Sequence, residues 1–79
     1  MTVLYFAAAR QAAGCSREEW PVAEIAGADA FWREATTRHP ALAALQAECR
    51  LAVNREFAAD GRAFSAGDEI AVIPPVSGG

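Results

Sequence analysis

The pattern of apolar and polar positions divides the chain into short strands around one helix. Val3-Leu4-Tyr5-Phe6-Ala7-Ala8 is an apolar run rich in strand formers and predicts a first strand. Gln11 to Gly14 reads as a loop or a single helical turn, with Gly14 as its stop. Glu18-Glu19-Trp20-Pro21-Val22 predicts a second strand. It must lie at an edge, or end, at Pro21, which has no amide to donate to a ladder. The period then changes. Gly27 or Asp29 caps a helix that begins near Ala28 and runs to Arg38. Phe31, Trp32 and Ala35 fall on one side of it; Arg33, Glu34, Thr37 and Arg38 mostly face away. Pro40 stops the helix, and Ala41-Leu42-Ala43-Ala44-Leu45 predicts a short second one. Arg50-Leu51-Ala52-Val53-Asn54 reads as a third strand and Phe57 belongs to a short fourth. Asp60-Gly61 and Ala66-Gly67-Asp68 are turns, the latter feeding a last strand, Glu69–Ile73. Pro74-Pro75 ends any pairing.

The first and last strands are the most apolar, which places them side by side, parallel, at the centre of a mixed sheet crossed by one main helix. The expected class is α+β in a β-grasp arrangement, with residues 1–73 as the domain and 74–79 as a flexible tail. One helix covers one face only. Leu4 and Phe6 alternate with Val3 and Tyr5, as Ala71 and Ile73 do with Ile70 and Val72. Half of these apolar side chains therefore lack a cover within the chain, and on adjacent strands they would form a contiguous patch for a partner protein.

Composition narrows the function classes. The chain has 79 residues, enough for one domain, and 53% of them are hydrophobic, enough for one core. Formal net charge is −3, and Arg10, Arg17, Arg33, Arg38, Arg50, Arg55 and Arg62 are scattered, so the basic stripe of a nucleic-acid binder is missing. No apolar run reaches membrane-spanning length, and Met1-Thr2-Val3-Leu4 is unlike a secretion signal, so the expected location is the cytoplasm. All seven basic residues are arginines. Without lysine there is no Schiff-base chemistry and no side-chain amine to receive an acyl group on this chain. Cys15 and Cys49 form no CxxC pair, and the sequence shows no His or acidic cluster at metal-ligand spacing. They read as small apolar residues or inert thiols, and no metal site is expected. His39 reads as a helix-end residue, where positive charge favours the dipole.

The candidate chemistry lies in Pro74-Pro75-Val76-Ser77-Gly78-Gly79. The prolines fix φ, stiffen the exit and keep the tail out of the sheet. The two glycines, lacking side chains, can pass through a narrow slot in another protein. Extended, the six residues reach roughly 20 Å. The carboxylate of Gly79 at the tip is a weak electrophile until activated, for example as an acyl-adenylate.

Three stretches carry a resemblance: Val3-Leu4-Tyr5-Phe6-Ala7 with Arg10, Ala52-Val53-Asn54 with Arg55-Glu56, and Gly67-Asp68-Glu69-Ile70 running on to Gly79. Together they are similar to the ubiquitin-like MoaD/ThiS sulfur-carrier family, which includes the small subunit of molybdopterin synthase and the thiamine-pathway carrier. The Pro-Pro pair points to the molybdopterin branch. The resemblance spans almost the whole chain and is weakest between Cys15 and Cys49. It implies that a ubiquitin-activating-type adenylyltransferase adenylates Gly79 with ATP and that a sulfur donor then makes a thiocarboxylate. The tail, Pro74 to Gly79, would deliver the sulfur to cyclic pyranopterin monophosphate inside the large synthase subunit, in a heterotetramer. It implies partner contacts at Phe6, Phe57, Ile73 and Arg10, no bound cofactor, and no catalytic side chains on the carrier itself. A carrier for thiamine or cysteine synthesis, a protein modifier and a plain β-grasp binding module are the other readings.

Overall fold

The computed structural model describes residues 1–59 and 61–75. Asp60 of the expected Asp60-Gly61 turn, and Val76, Ser77, Gly78 and Gly79 of the tail, lie outside the described residues. Strand β1 (Thr2–Tyr5) leads into helix α1 (Ala7–Ala13), then β2 (Arg17–Glu19) and β3 (Glu24–Ile25). Helix α2 (Ala28–Arg38) follows, with two 3-10 turns (Pro40–Ala44 and Gln46–Glu48) after it. Four strands complete the chain: β4 (Arg50–Val53), β5 (Glu56–Phe57), β6 (Phe64–Ser65) and β7 (Glu69–Ile73).

The main sheet has the order β2-β1-β7-β4-β5. Strands β1 and β7 are adjacent and parallel, with Val3 opposite Ile70 and Tyr5 opposite Val72; every other pairing in the sheet is antiparallel. This is the central pair the apolar runs predict. Both strands alternate in burial: Val3, Tyr5, Ile70 and Val72 are buried, while Leu4, Ala71 and Ile73 are half-buried. Among the described residues, only one face of the sheet is roofed. Helix α2 supplies that roof through Phe31, Trp32 and Ala35, the side its period marks as apolar. Phe31 stacks on Trp20 at 4.9 Å between ring centroids and meets Phe64 edge-on at 5.8 Å. Such aromatic pairs contribute about 0.5–1.5 kcal/mol beyond their area burial.

Four details differ from the sequence reading. The first strand stops at Tyr5; Ala7 and Ala8 open a helix instead of extending a strand, and Gln11–Ala13 completes it. Ala-Ala-Ala-Arg-Gln-Ala-Ala has strong helix propensity, and Gly14, with φ of 79°, closes the helix. The second strand is Arg17–Glu19 and not Glu18–Val22: Trp20 still donates its amide to the Met1 carbonyl at 2.8 Å and accepts from the Met1 ammonium at 3.1 Å, but Pro21, next along, has no amide to carry the pairing on. The Ala41–Leu45 segment forms a 3-10 turn. Finally, β3 and β6 pair as a separate two-stranded sheet, fixed by the burial of Ile25 and Phe64.

Candidate functional site

Registers define the open face of the sheet. Leu4 stands opposite Ala71, Ala71 opposite Ala52, and Ala52 opposite Phe57, so these four side chains point the same way. Ile73 stands opposite Arg50 on the same face. Phe6 remains in extended conformation and donates its amide to the Val72 carbonyl, which continues the β1–β7 register and sets Phe6 beside Ile73. Phe6 and Phe57 are the exposed large hydrophobics among the described residues, at 47% and 57% of their full accessible area. Ile73 is half-buried and Arg10 is exposed. The Arg50 guanidinium lies over the Phe57 ring, 4.0 Å from its centroid. Sequence reasoning missed Arg50; the hairpin turn at Asn54-Arg55, which sets Ala52 opposite Phe57, was the available signal.

At one end of this face, Leu4, Phe6, Arg10 and Arg17 line a shallow hollow. Arginines at the rim of an apolar patch suit an acidic border on a partner. Beyond Ile73 the chain leaves the sheet, with Pro74 buried and Pro75 exposed. The exit lies on the same strand end as Phe6 and Ile73.

A second group sits on the covered face. Glu18 pairs with Val3, so its side chain points toward the core side. Its Oε1 accepts from Tyr5 Oη at 2.8 Å and Trp20 Nε1 at 2.6 Å. His39 Nε2 lies 3.0 Å from each carboxylate oxygen. Burial works to raise the Glu18 pKa, but the hydrogen bonds from Trp20, Tyr5 and His39 outweigh it and hold the carboxyl below its usual range. Burial, and then the hydrogen bond to Glu18, push the Tyr5 phenol up; burial, and then the Glu18 charge, push the Cys15 thiol up. Burial also raises Cys49. Both cysteines are free thiols, half-buried against the core. His39 does cap α2, as its place before Pro40 suggests, but it also closes the Glu18 network.

A five-stranded mixed sheet with a central parallel pair and one main helix crossing it define a ubiquitin-like β-grasp domain. Residues 3–79 match the ThiS family, and the chain belongs to it. It is 37% identical over 79 residues to the molybdopterin synthase sulfur carrier subunit of Chlamydomonas reinhardtii, covering 98% of this chain and 95% of that one. It is 41% identical over 80 residues to the subunit of the same name from Homo sapiens, covering 98% and 91%. Among solved structures it is similar to SAMP1, a small archaeal modifier protein of Haloferax volcanii. There the TM-score is 0.81 and the identity 31%, over 99% of this chain and 97% of that one.

Proposed function

We propose that this chain is the sulfur carrier of a cytoplasmic molybdopterin synthase. The observation that carries the reading is a family match over residues 3–79, Gly79 included, together with two relatives of that name at 37% and 41% identity. In this reading the Gly79 carboxylate attacks the α-phosphate of ATP on a ubiquitin-activating-type adenylyltransferase, and pyrophosphate leaves. A sulfur nucleophile then displaces AMP to give the thiocarboxylate. The tail enters the large synthase subunit, where transfer of the sulfur to cyclic pyranopterin monophosphate returns the carboxylate; two rounds build the dithiolene. The open face bearing Phe6, Phe57 and Ile73, with Arg10 at its rim, docks the large subunit and aims the exit at Pro74 and Pro75 toward that active site. Acid–base groups come from the partners.

The test is reconstitution with ATP, the adenylyltransferase and a sulfur donor, read by intact mass. The expected product shows one oxygen exchanged for sulfur at the C-terminus. Deleting Gly79 moves the carboxylate by about one residue, some 3.3–3.6 Å. A misplacement of even about 1 Å can cost on the order of a hundredfold when reacting atoms must align. The shortened chain should therefore lose adenylation or sulfur transfer. A Gly79-deleted chain that forms adenylate and supports pterin conversion at the full rate would refute the mechanism. The similarity to a small archaeal modifier protein favours a second reading, in which activated Gly79 is joined to a lysine of a target. Heavier adducts in cells, lost on Gly79 deletion, would mark that outcome.

A further inference from the structure

Cys15, Glu18 and His39 come from three separate places: the loop after α1, the middle of β2 and the C-terminal cap of α2. The fold brings one thiol sulfur, one carboxylate oxygen and one imidazole nitrogen within 4.8 Å of one another. All three residues are half-buried, so solvent still reaches the group. From this convergence we propose that Cys15, Glu18 and His39 form a binding site for a zinc ion.

The donor set suits zinc, which takes thiolate, imidazole and carboxylate ligands in tetrahedral geometry. Bonds of about 2.3 Å to sulfur and about 2.0–2.1 Å to nitrogen and oxygen require ligand–ligand edges of roughly 3.3–3.6 Å. The His39–Glu18 contact, at 3.0 Å, opens by a few tenths of an ångström, and the sulfur, no farther than 4.8 Å from its partners, closes by at most roughly 1.5 Å, within reach of one cysteine torsion.

The surroundings are those of a supported ligand set. Glu18 Oε1 already accepts from both Tyr5 and Trp20, which fixes the carboxylate and leaves Oε2 with His39 alone. Metal-bound carboxylates are held by such outer hydrogen bonds. Charge also balances. Binding releases the Cys15 proton to solvent, and the thiolate and carboxylate together neutralise the dication, while neutral His39 binds through Nε2 with its remaining proton on Nδ1. A fourth position stays open on the solvent side for water or an exogenous ligand. The group is not arranged as a catalytic cysteine pair, because His39 Nε2 faces Glu18.

The site is separate from the Gly79 chemistry, and its test needs no sulfur transfer. Zinc or cobalt(II) chloride is titrated into the reduced, full-length chain. One equivalent of zinc should slow alkylation of Cys15 by iodoacetamide at least tenfold and leave Cys49 unchanged, as read by peptide mass. Cobalt(II) should give a thiolate-to-metal charge-transfer band that saturates at one equivalent. Cys15→Ser and His39→Gln should each weaken binding at least tenfold, and Cys49→Ser should not. Equal alkylation of Cys15 with and without zinc overturns the proposal in the unaltered protein, whether or not a variant folds. Unchanged affinity in Cys15→Ser overturns it as well.

Discussion

Replacing Phe57 by Asp separates a docking role from a folding role. Phe57 keeps 57% of its accessible area in the isolated chain. A phenylalanine presents roughly 200 Å², so roughly 100 Å² remains for a partner to cover. At about 25 cal/mol per Å² that burial is worth about 2.5 kcal/mol, or roughly 50-fold or more in affinity. A carboxylate stranded in an apolar contact raises the loss further. The isolated domain loses little by comparison. The stack of Arg50 on Phe57 contributes about 0.5–1 kcal/mol at an exposed site, and the strand-propensity change is of similar size. A loss of about 1 kcal/mol lowers the thermal midpoint of a domain this small by about 4–8 °C. The assay is calorimetric titration against the large synthase subunit beside a thermal melt, with exposed Arg33→Ala on α2 as the control. Full-strength binding by Phe57→Asp refutes the docking face. A fall of the midpoint by more than about 15 °C would instead make Phe57 a folding residue.

Two further predictions concern stability. The Ser65 amide donates to Asp68 Oδ2 at 2.8 Å, Asn54 Nδ2 donates to Oδ1 at 3.0 Å, and Arg62 stands nearby, so the Asp68 carboxyl is held below its usual range. A depressed folded value gives stabilisation that is complete above the unfolded value of about 3.9 and lost as pH falls through the folded one. The midpoint difference between wild type and Asp68→Asn should therefore shrink between about pH 6 and about pH 2, and a constant difference would contradict this. In the β4–β5 turn, Asn54 and Arg55 have φ of 52° and 72°, the left-handed region that favours Asn and Gly. Arg55→Gly should stabilise the domain by about 0.5 kcal/mol in urea unfolding, net of glycine's extra unfolded-state entropy; destabilisation would count against it.

What the sequence made legible follows from period and punctuation. Val3–Tyr5 and Glu69–Ile73 alternate between a roofed and an open face, so the central parallel pair and the outward side of Phe6 could be read directly, whereas Phe57 was reached only through the family resemblance. Phe31, Trp32 and Ala35 kept helical spacing between Gly27 and Pro40, and α2 lies there. Helix α1 was hidden because Tyr5-Phe6-Ala7-Ala8 is apolar throughout and no side chain caps its start; Phe6 only sits at the cap. Strands β3 and β6 have two residues each, too few for any period, and pair through the tertiary burial of Ile25 and Phe64. The Glu18 network was illegible for a different reason. Glu18-Glu19 looks like a charged edge strand, and only the pleat sends Glu18 inward to Tyr5, Trp20 and His39 while Glu19 faces out.

That pleat also separates the two proposed sites on a chain of 79 residues. Arg17 stands opposite Leu4 on the open face, and Glu18 opposite Val3 on the covered one. The docking face and the Cys15–Glu18–His39 group therefore share no side chain and lie on opposite sides of the same two strands. They do share a segment. Arg10, Cys15, Arg17 and Glu18 fall within nine consecutive residues, from α1 through the loop into β2. A cation that ties Cys15 and Glu18 to the end of α2 restrains the short segment that leads from α1 into Arg17 at the start of β2, and so reduces what a partner must order at that rim. Coupling of this kind is reciprocal: whatever factor zinc contributes to partner affinity, the partner must contribute to zinc affinity. The segment is short and its neighbours on β1 are already fixed by the sheet, so the ordering still to be gained is confined to the Arg10 and Arg17 end of the face and does not extend to Phe57.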